Sequence, residues 1–591
     1  MEISDEFVNN KYFLEKSKDD KYIIKMVNGE KNFYIGSKYS VQRDIDQFIK
    51  QVQDFNVSTI FVIFGLGAGE HIVELLKKIS PTNKVLVIEP CKKVIEILIN
   101  DKINAELFNN NMIYITDSSV KIVDLLGGFI DEVNVNNIQM LVYANYDKIY
   151  NNQFKALAAD LHHYVEISMI NMNTNIGYSK DFFKCYMKNL KQILDSSIVN
   201  EFKGKLNGVP AIIVSAGPSL EKNIELLKEV KGKFIIITGI RTVMSLTKHH
   251  IKPDIVCAID ATEAMYEVAK PSLDCEAPLV FCENTNYKIL EEYKGKRIFF
   301  KEGMNLLNLT NELTGLKIDT LWSGGSVAHN CTAFARYAGC NPIIFIGQDF
   351  AYTNEKYHAD SASIAKNNKV EDSDIIYCKD INGEDIKTSL ILDVYRKNME
   401  QFIRSAKDTL FINSTEGGAL MDGAKTQPLR NTIDEYILEV EEFNQRLESI
   451  MAKQNEISST DVLAKVKEIK IEIETLRNQC KSSISSLNNF IKLSTINKDK
   501  DISPLLKKIN DINKKITRIE LIENLLKPTI YKVMMNHEFL EKVDDTQKVR
   551  ELKLAKQVKS LYEGIIKSID ESMPSVEECI TELNNLEDKN E

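Results

Sequence analysis

The stretch Val214-Ser215-Ala216-Gly217-Pro218-Ser219-Leu220 follows an apolar run at 211–214 and opens a helix-length amphipathic segment. A short β-branched run, a Gly-Pro turn and a helix start, in that order, make a strand–turn–helix unit. Gly217 lets backbone N–H groups approach a ligand, Pro218 suits the first helical turn, and Ser219 caps the helix while offering its hydroxyl to an anion. The positive end of such a helix faces a phosphate. A plain turn with a cap accounts for the same residues without any ligand.

The same grammar recurs on either side. Short apolar runs at 211–214, 234–238, 255–259, 279–282, 298–300 and 343–346 are separated by amphipathic stretches of helix length. Strands alternating with helices predict a doubly wound parallel sheet, and runs with little alternation predict strands buried on both faces. Upstream, the run 59–64, Gly65-Leu66-Gly67-Ala68-Gly69, a helical pattern over 71–79 and a second run at 84–88 form another β-turn-α-β unit. Beyond 429 Gly and Pro become scarce and helical periods such as Val462-Val466-Ile469-Ile473-Leu476 and Leu554-Val558-Leu561-Ile565 take over. The expectation is an α/β protein in three parts: a Rossmann-like domain at 1–198, a central doubly wound domain at 199–428 and an all-α domain at 429–591.

A chain of 591 residues exceeds what one hydrophobic core serves, which fits that division. Its net charge of -10 and pI near 5.6 exclude the broad basic face needed for sequence-tolerant nucleic-acid or anionic-membrane binding. No stretch approaches the roughly 20 apolar residues that span a bilayer, and Met1-Glu2-Ile3-Ser4-Asp5-Glu6 lacks the parts of a secretion signal, so the expected location is the cytoplasm. Ten cysteines without a C-x-x-C pair point to reduced thiols, with no disulfide framework or structural metal.

Two further segments repeat the strand-to-helix design. Leu321-Trp322-Ser323-Gly324-Gly325-Ser326-Val327 precedes an Ala-rich helix at 328–337, and the run 343–346 delivers Gly347-Gln348-Asp349-Phe350-Ala351-Tyr352. Ligand-binding loops leave the carboxyl ends of parallel strands, so these three loops are expected to converge on one crevice.

The order S-A-G-P-S, then S-G-G-S-V heading an Ala-rich helix with Gly339, then I-G-Q-D-F-A-Y with His358 soon after, closely resembles the Maf (motility accessory factor) flagellin glycosyltransferases. It resembles more distantly the bacterial sialyltransferases that use CMP-sialic acid. Ile412-Asn413-Ser414-Thr415-Glu416-Gly417-Gly418-Ala419 and the segment 383–400, with Thr388 and Tyr395, also look like the Maf pattern. The resemblance implies a sialyltransferase-like central fold and transfer of a nonulosonic acid (legionaminic, pseudaminic or sialic type) from its CMP donor to flagellin Ser or Thr. It implies donor and nucleotide binding by Ser215, Gly217, Pro218, Ser219, Ser323, Gly324, Gly325, Ser326, Gly347, Gln348, Glu416 and Gly417, with Thr238, Gly239 and Asp260 bordering the pocket. His358 takes the position of the general base, with Asp349 and Tyr352 as the other catalytic candidates. The helical region is then a candidate flagellin grip.

The chemistry is coherent without a cofactor or metal. CMP leaves with a single phosphate, which hydroxyls, backbone N–H groups and a helix dipole can stabilise without the cation that a diphosphate usually recruits. A neutral His has the right character to take the acceptor proton, and Tyr352 offers a hydrogen bond to the leaving phosphate. The other histidines read as structural: His249 and His250 end a helix, His329 lies inside the Ala-rich helix, and His71, His162, His163 and His537 have no catalytic company.

Some patterns mimic other chemistries. Asp372-Ser373-Asp374 looks like a metal-binding D-x-D but reads as a solvated turn, and Asp380-Ile381-Asn382-Gly383-Glu384-Asp385 reads as a hairpin turn rather than a calcium loop. Gly65-Leu66-Gly67-Ala68-Gly69 with Glu89 has the spacing of a nucleotide or S-adenosylmethionine fingerprint, which would place a ribose on Glu89; a scaffold reading is preferred because the last Gly departs from the dinucleotide motif. The central region also resembles archaeal pterin pyrophosphokinases, which would need ATP and magnesium. A non-catalytic flagellin assembly factor is the third reading.

Overall fold

The computed structural model describes residues 10–29, 31–57, 59–117, 122–130, 135, 137–302, 307–362, 375–437, 443–452, 457–495, 503–516, 520–542 and 544–590. Two compact units form, each from three chain segments. The first combines Met1–Gly177, Gln479–Asp511 and Leu526–Ile566; the second combines Tyr178–Asn478, Ile512–Leu525 and Lys567–Glu591. The helices after residue 429, among them Ser459–Thr495 and Gln547–Asn590, therefore contribute to both units. Val462, Val466, Ile473 and Leu476 are all buried, as their helical spacing predicts.

In the first unit, β1 (Lys11–Lys16), β2 (Tyr22–Asn28) and β3 (Lys31–Ile35) form an antiparallel sheet. The strands β4 (Ile60–Phe64), β5 (Lys84–Glu89), β6 (Ile113–Asp117) and β7 (Ile138–Val142) form a parallel sheet in the order β6-β5-β4-β7. The expected β-turn-α-β unit is present, with the helix Glu70–Leu76 between β4 and β5. Its glycine loop is filled from within. Gly65 has φ +105°, and a Cβ there would lie inside the Tyr146 ring. The Tyr146 hydroxyl donates to Glu89 Oε2 at 2.6 Å and accepts from the Gly67 N–H at 2.9 Å, while the Leu66 N–H also reaches Glu89 Oε2, at 2.8 Å. His71 stacks on Tyr143 with centroids 3.7 Å apart. Glu89 thus faces its own loop instead of a ribose, and burial raises its pKa to about 7.

The second unit is organised by one nine-stranded parallel sheet. Its strands are β8 (Ser197–Ile198), β9 (Ala211–Val214), β10 (Ile235–Gly239), β11 (Ile255–Ala258), β12 (Leu279–Phe281), β13 (Arg297–Phe299), β14 (Ile343–Ile346), β17 (Phe411–Asn413) and β18 (Lys425–Thr426). Between them in sequence, β15 (Ile375–Lys379) and β16 (Asp385–Ser389) form a hairpin closed by residues 380–384, as the Asn-Gly reading requires. In that turn the Asp380 carboxylate accepts from the N–H groups of Asn382 and Glu384. The Asp372-Ser373-Asp374 pattern lies outside the described residues.

The sheet order is β18-β17-β14-β9-β10-β11-β12-β13-β8. Alternate strand residues feed two separate cores: Ala211, Ile213, Ile235, Ile237, Ile343 and Phe345 on one face, and Ile212, Val214, Ile236, Ile344 and Ile346 on the other. Both faces are covered, which is why the runs show no polar alternation. From β9 the chain winds towards β10–β13 on one side and later returns to β14 on the other. The crevice of such a sheet lies where the winding reverses, at the carboxyl ends of β9 and β14. No helix among the described residues is long and apolar enough to cross a membrane.

Candidate functional site

The loops leaving β9 and β14 are hydrogen-bonded to each other along their length. The Ser215 N–H donates to the Ile346 carbonyl at 3.0 Å and the Gly217 N–H to the Gly347 carbonyl at 2.8 Å. The Ser215 hydroxyl reaches Gln348 Oε1 at 2.5 Å. Ser219 gives Asp349 two bonds, its hydroxyl to Oδ1 at 2.5 Å and its N–H to Oδ2 at 3.1 Å. Gly217 is required by close approach, since a Cβ would strike Asp349 Oδ1 and the Gly347 carbonyl. Asp349 is only 3% exposed; burial raises its pKa while the Ser219 hydroxyl opposes.

These contacts correct two expectations. The helix opened by Pro218 is a single 3-10 turn, Pro218–Lys222, without a side-chain cap, so no long helix aims its dipole at a phosphate. Ser219 spends both donors on Asp349 and does not present them to an anion. Two buried donors require acceptors, and the strand register brings the Asp349 carboxylate to them.

The 416–418 loop joins the same cluster. The Ala419 N–H donates to the Asp349 carbonyl at 2.7 Å, the Lys222 ammonium to the Glu416 carbonyl at 2.6 Å, and a Cβ on Gly417 would touch Ser219. Tyr352, Glu416 and Gly417 line a cleft of about 350 Å³ whose other wall is the β15–β16 hairpin. Glu416, Asn354 and Glu355, all in this lining, hold positive φ between 55° and 58°, a backbone strain that the surrounding packing must enforce.

The remaining candidates lie towards β10 and β11. Thr238 is fully buried, and its hydroxyl donates to the Val214 carbonyl at 2.8 Å, clasping the ends of β9 and β10 rather than opening to a pocket. Gly239 precedes the helix Ile240–Lys248 and lets Val327 pack against it, where a Cβ would come within 2.8 Å. Asp260 accepts from the Thr262 N–H at 2.8 Å. Ser323 donates to Glu302 Oε1 at 3.0 Å, and Gly325, with φ +90°, lies against Tyr395.

Ser326 caps the helix Val327–Ala338 in a box completed by His329. The Ser326 N–H donates to His329 Nδ1 at 3.1 Å, and His329 Nε2–H donates to the Tyr395 carbonyl at 2.9 Å. The bond that Nδ1 accepts needs the neutral ring, and burial pushes its pKa down to about 4. The histidine read as structural therefore positions the Ser323–Ser326 loop. The unfolded state binds the extra proton between pH 4 and 6.5, so this contribution is complete above 6.5 and lost as pH falls towards 4. The urea-midpoint gap between the native chain and His329→Gln is expected to shrink over that window by roughly 3 kcal/mol in stability.

His358 links the two halves: its ring donates to the Ala216 carbonyl, and Arg241 lies close by. Burial first, and then the Arg241 charge, hold its pKa down at about 4, so it is neutral at pH 7. His249 caps the end of the helix Ile240–Lys248, as its sequence position suggests. The sequence reading missed Arg241, the second residue of that helix. One signal was present: a cation in the first helical turn opposes the helix dipole. It also missed buried Glu283 and half-buried Glu302 beyond β12 and β13; desolvation, with Glu302 adding to it, raises the Glu283 pKa to about 7. Among the described residues no cluster of His, Cys, Asp or Glu is arranged to hold a metal.

Residues 184–355, from the helix ahead of β8 to just beyond β14, match a family described as MptE-like, 6-hydroxymethylpterin diphosphokinase MptE-like. No curated protein matches the chain. Among solved structures, a Maf glycosyltransferase from Magnetospirillum magneticum AMB-1 superposes with a TM-score of 0.50 at 11% identity, covering 98% of this chain and 92% of that one. In fold, over nearly its whole length, the chain is similar to that Maf glycosyltransferase.

Proposed function

We propose that the chain is a metal-independent, inverting glycosyltransferase that moves a nonulosonic acid from its CMP donor to Ser or Thr of flagellin in the cytoplasm, supporting flagellum assembly. The observation carrying this reading is the convergence of the 215–219, 347–352 and 416–418 loops at the carboxyl ends of β9 and β14. The whole-length likeness in fold to a Maf glycosyltransferase supports it.

In this reading the 215–219 loop, its Ser215, Gly217 and Ser219 N–H groups already bonded within the protein, shapes the nucleotide side of the crevice, and Tyr352 meets the leaving group from the cleft wall. His358, bonded to the Ala216 carbonyl and neutral at pH 7, takes the acceptor proton.

The likeness of residues 184–355 to a diphosphokinase family supports a second reading, phosphoryl transfer from ATP. Two measurements separate them. Thermal unfolding is expected to shift upwards with CMP and not with ATP and magnesium, because a ligand selective for the native state stabilises it. Sugar transfer to flagellin is expected to persist in EDTA. Stabilisation by ATP and magnesium alone, with transfer lost in EDTA, would reject the glycosyltransferase reading. S-adenosylmethionine is expected to give no shift, since Tyr146 occupies the glycine loop where it would bind.

A further inference from the structure

We propose that Arg241 is the anion receptor of the crevice, binding the donor's acidic group, whether sugar carboxylate or phosphate, through its guanidinium fork. The inference rests on the glycosyltransferase reading for its choice of ligand, and on the following geometry for its choice of residue.

Arg241 follows β10 by two residues, on the strand beside β9, so it stands at the carboxyl edge where the site loops gather. Asp260 from the end of β11 and His358 beyond the β14 loop both lie within electrostatic reach. Its guanidinium is partly buried, yet among the described residues it makes no hydrogen bond and no ion pair.

Other arginines of the same unit behave differently. Arg297 donates to the carbonyls of Leu290 and Tyr293, Arg396 pairs with Asp393 and Glu400, and Arg336 pairs with Asp408. A guanidinium carries five N–H donors, and at this half-buried position none of them is paired with the protein, so its solvation is weakened without a compensating bond. Its place in the first turn of the helix Ile240–Lys248 adds repulsion from the dipole. Asp260 stays beyond ion-pair distance and already accepts from the Thr262 N–H. Burial accordingly lowers the Arg241 pKa below the ordinary guanidinium value, with Asp260 only partly opposing.

An incoming carboxylate or phosphate reverses each of these penalties, and its planar or tetrahedral oxygens match the fork in pairs.

The test uses the full chain, calorimetric titration with CMP and with CMP-N-acetylneuraminate, and the variants Arg241→Gln and Arg241→Lys. Arg241→Gln is expected to weaken CMP-N-acetylneuraminate about 10- to 100-fold, the range of one charge-assisted contact, with Arg241→Lys in between. Equal loss for CMP alone assigns the phosphate to Arg241; loss confined to the sugar nucleotide assigns the carboxylate. The melting temperature of Arg241→Gln is expected to stay level or rise, because an uncompensated cation is removed. Donor binding within twofold of the native chain, or a melting temperature several degrees lower, overturns the proposal. If the native chain binds ATP and magnesium and no cytidine nucleotide, the glycosyltransferase reading falls. Arg241 is then judged by the same loss measured with ATP. A native chain that binds none of these anions overturns both.

Discussion

Asp349→Ala is expected to abolish transfer and to lower stability by about 2–4 kcal/mol. The Asp349 carboxylate accepts both the hydroxyl and the N–H of Ser219, and all three groups are buried. Truncation leaves two donors unsatisfied, each costing about 1–3 kcal/mol. The loss reaches the chemistry because Asp349 ties the 215–219 loop to the end of β14, and its own backbone carbonyl receives the 419 N–H. A displacement of about 1 Å in a positioning loop costs on the order of 100-fold in rate, so a drop of at least that size is expected. Asp349→Asn keeps one acceptor oxygen and should recover part of the stability but little of the rate. Urea midpoints and flagellin glycosylation measured on both variants decide the matter. Normal transfer by Asp349→Ala at native stability would remove Asp349 and Ser219 from the site.

Gly65→Ala is expected to destabilise the first unit by about 3–5 kcal/mol. Its φ of +105° already disfavours any side chain, and the added methyl would sit within the Tyr146 ring. Backbone strain and overpacking each contribute roughly 1–3 kcal/mol. Moving Tyr146 also breaks the hydrogen bonds that satisfy buried Glu89 and the Gly67 N–H. The double variant with Tyr146→Phe tests the coupling. The ring clash persists without the hydroxyl, so the two losses should combine on one network and fail to add. A Gly65→Ala loss under 1 kcal/mol would show that the loop has room, and would reopen the nucleotide reading of Gly65-Leu66-Gly67-Ala68-Gly69.

Much of the architecture was legible in the order of residues. The apolar runs at 211–214 and 343–346 coincide with β9 and β14, and the remaining runs of the central sheet lie within two residues of their strands. Burial on both faces was readable because a strand with no polar face has nowhere to meet water. The Asn-Gly hairpin was readable too, since such a turn is decided over three or four residues.

The site was legible only as a set of loops: of the three expected to converge, 215–219 and 347–352 bond each other, while the 323–326 loop bonds Glu302, His329 and Asn398 instead. Ser219 looked like an anion donor because its local setting allows that role; its acceptor is 130 residues away in the chain. The helix after Pro218 is also shorter than the amphipathic pattern predicts, a 3-10 segment that ends at Lys222. Glu89 and Tyr146, separated by 57 residues, meet only because β5 and the segment after β7 are brought together in one sheet.

The sequence by itself determined the parallel strands, their two buried faces, and which loops leave their carboxyl ends, because those features depend on periodicity and on turn chemistry within a few residues. The tertiary structure alone decided which loop donors are already bound, that Tyr146 fills the glycine loop, and that Arg241 has no hydrogen-bond or ion-pair partner among the described residues. Those outcomes depend on strand order, and strand order brings together side chains that no local pattern connects.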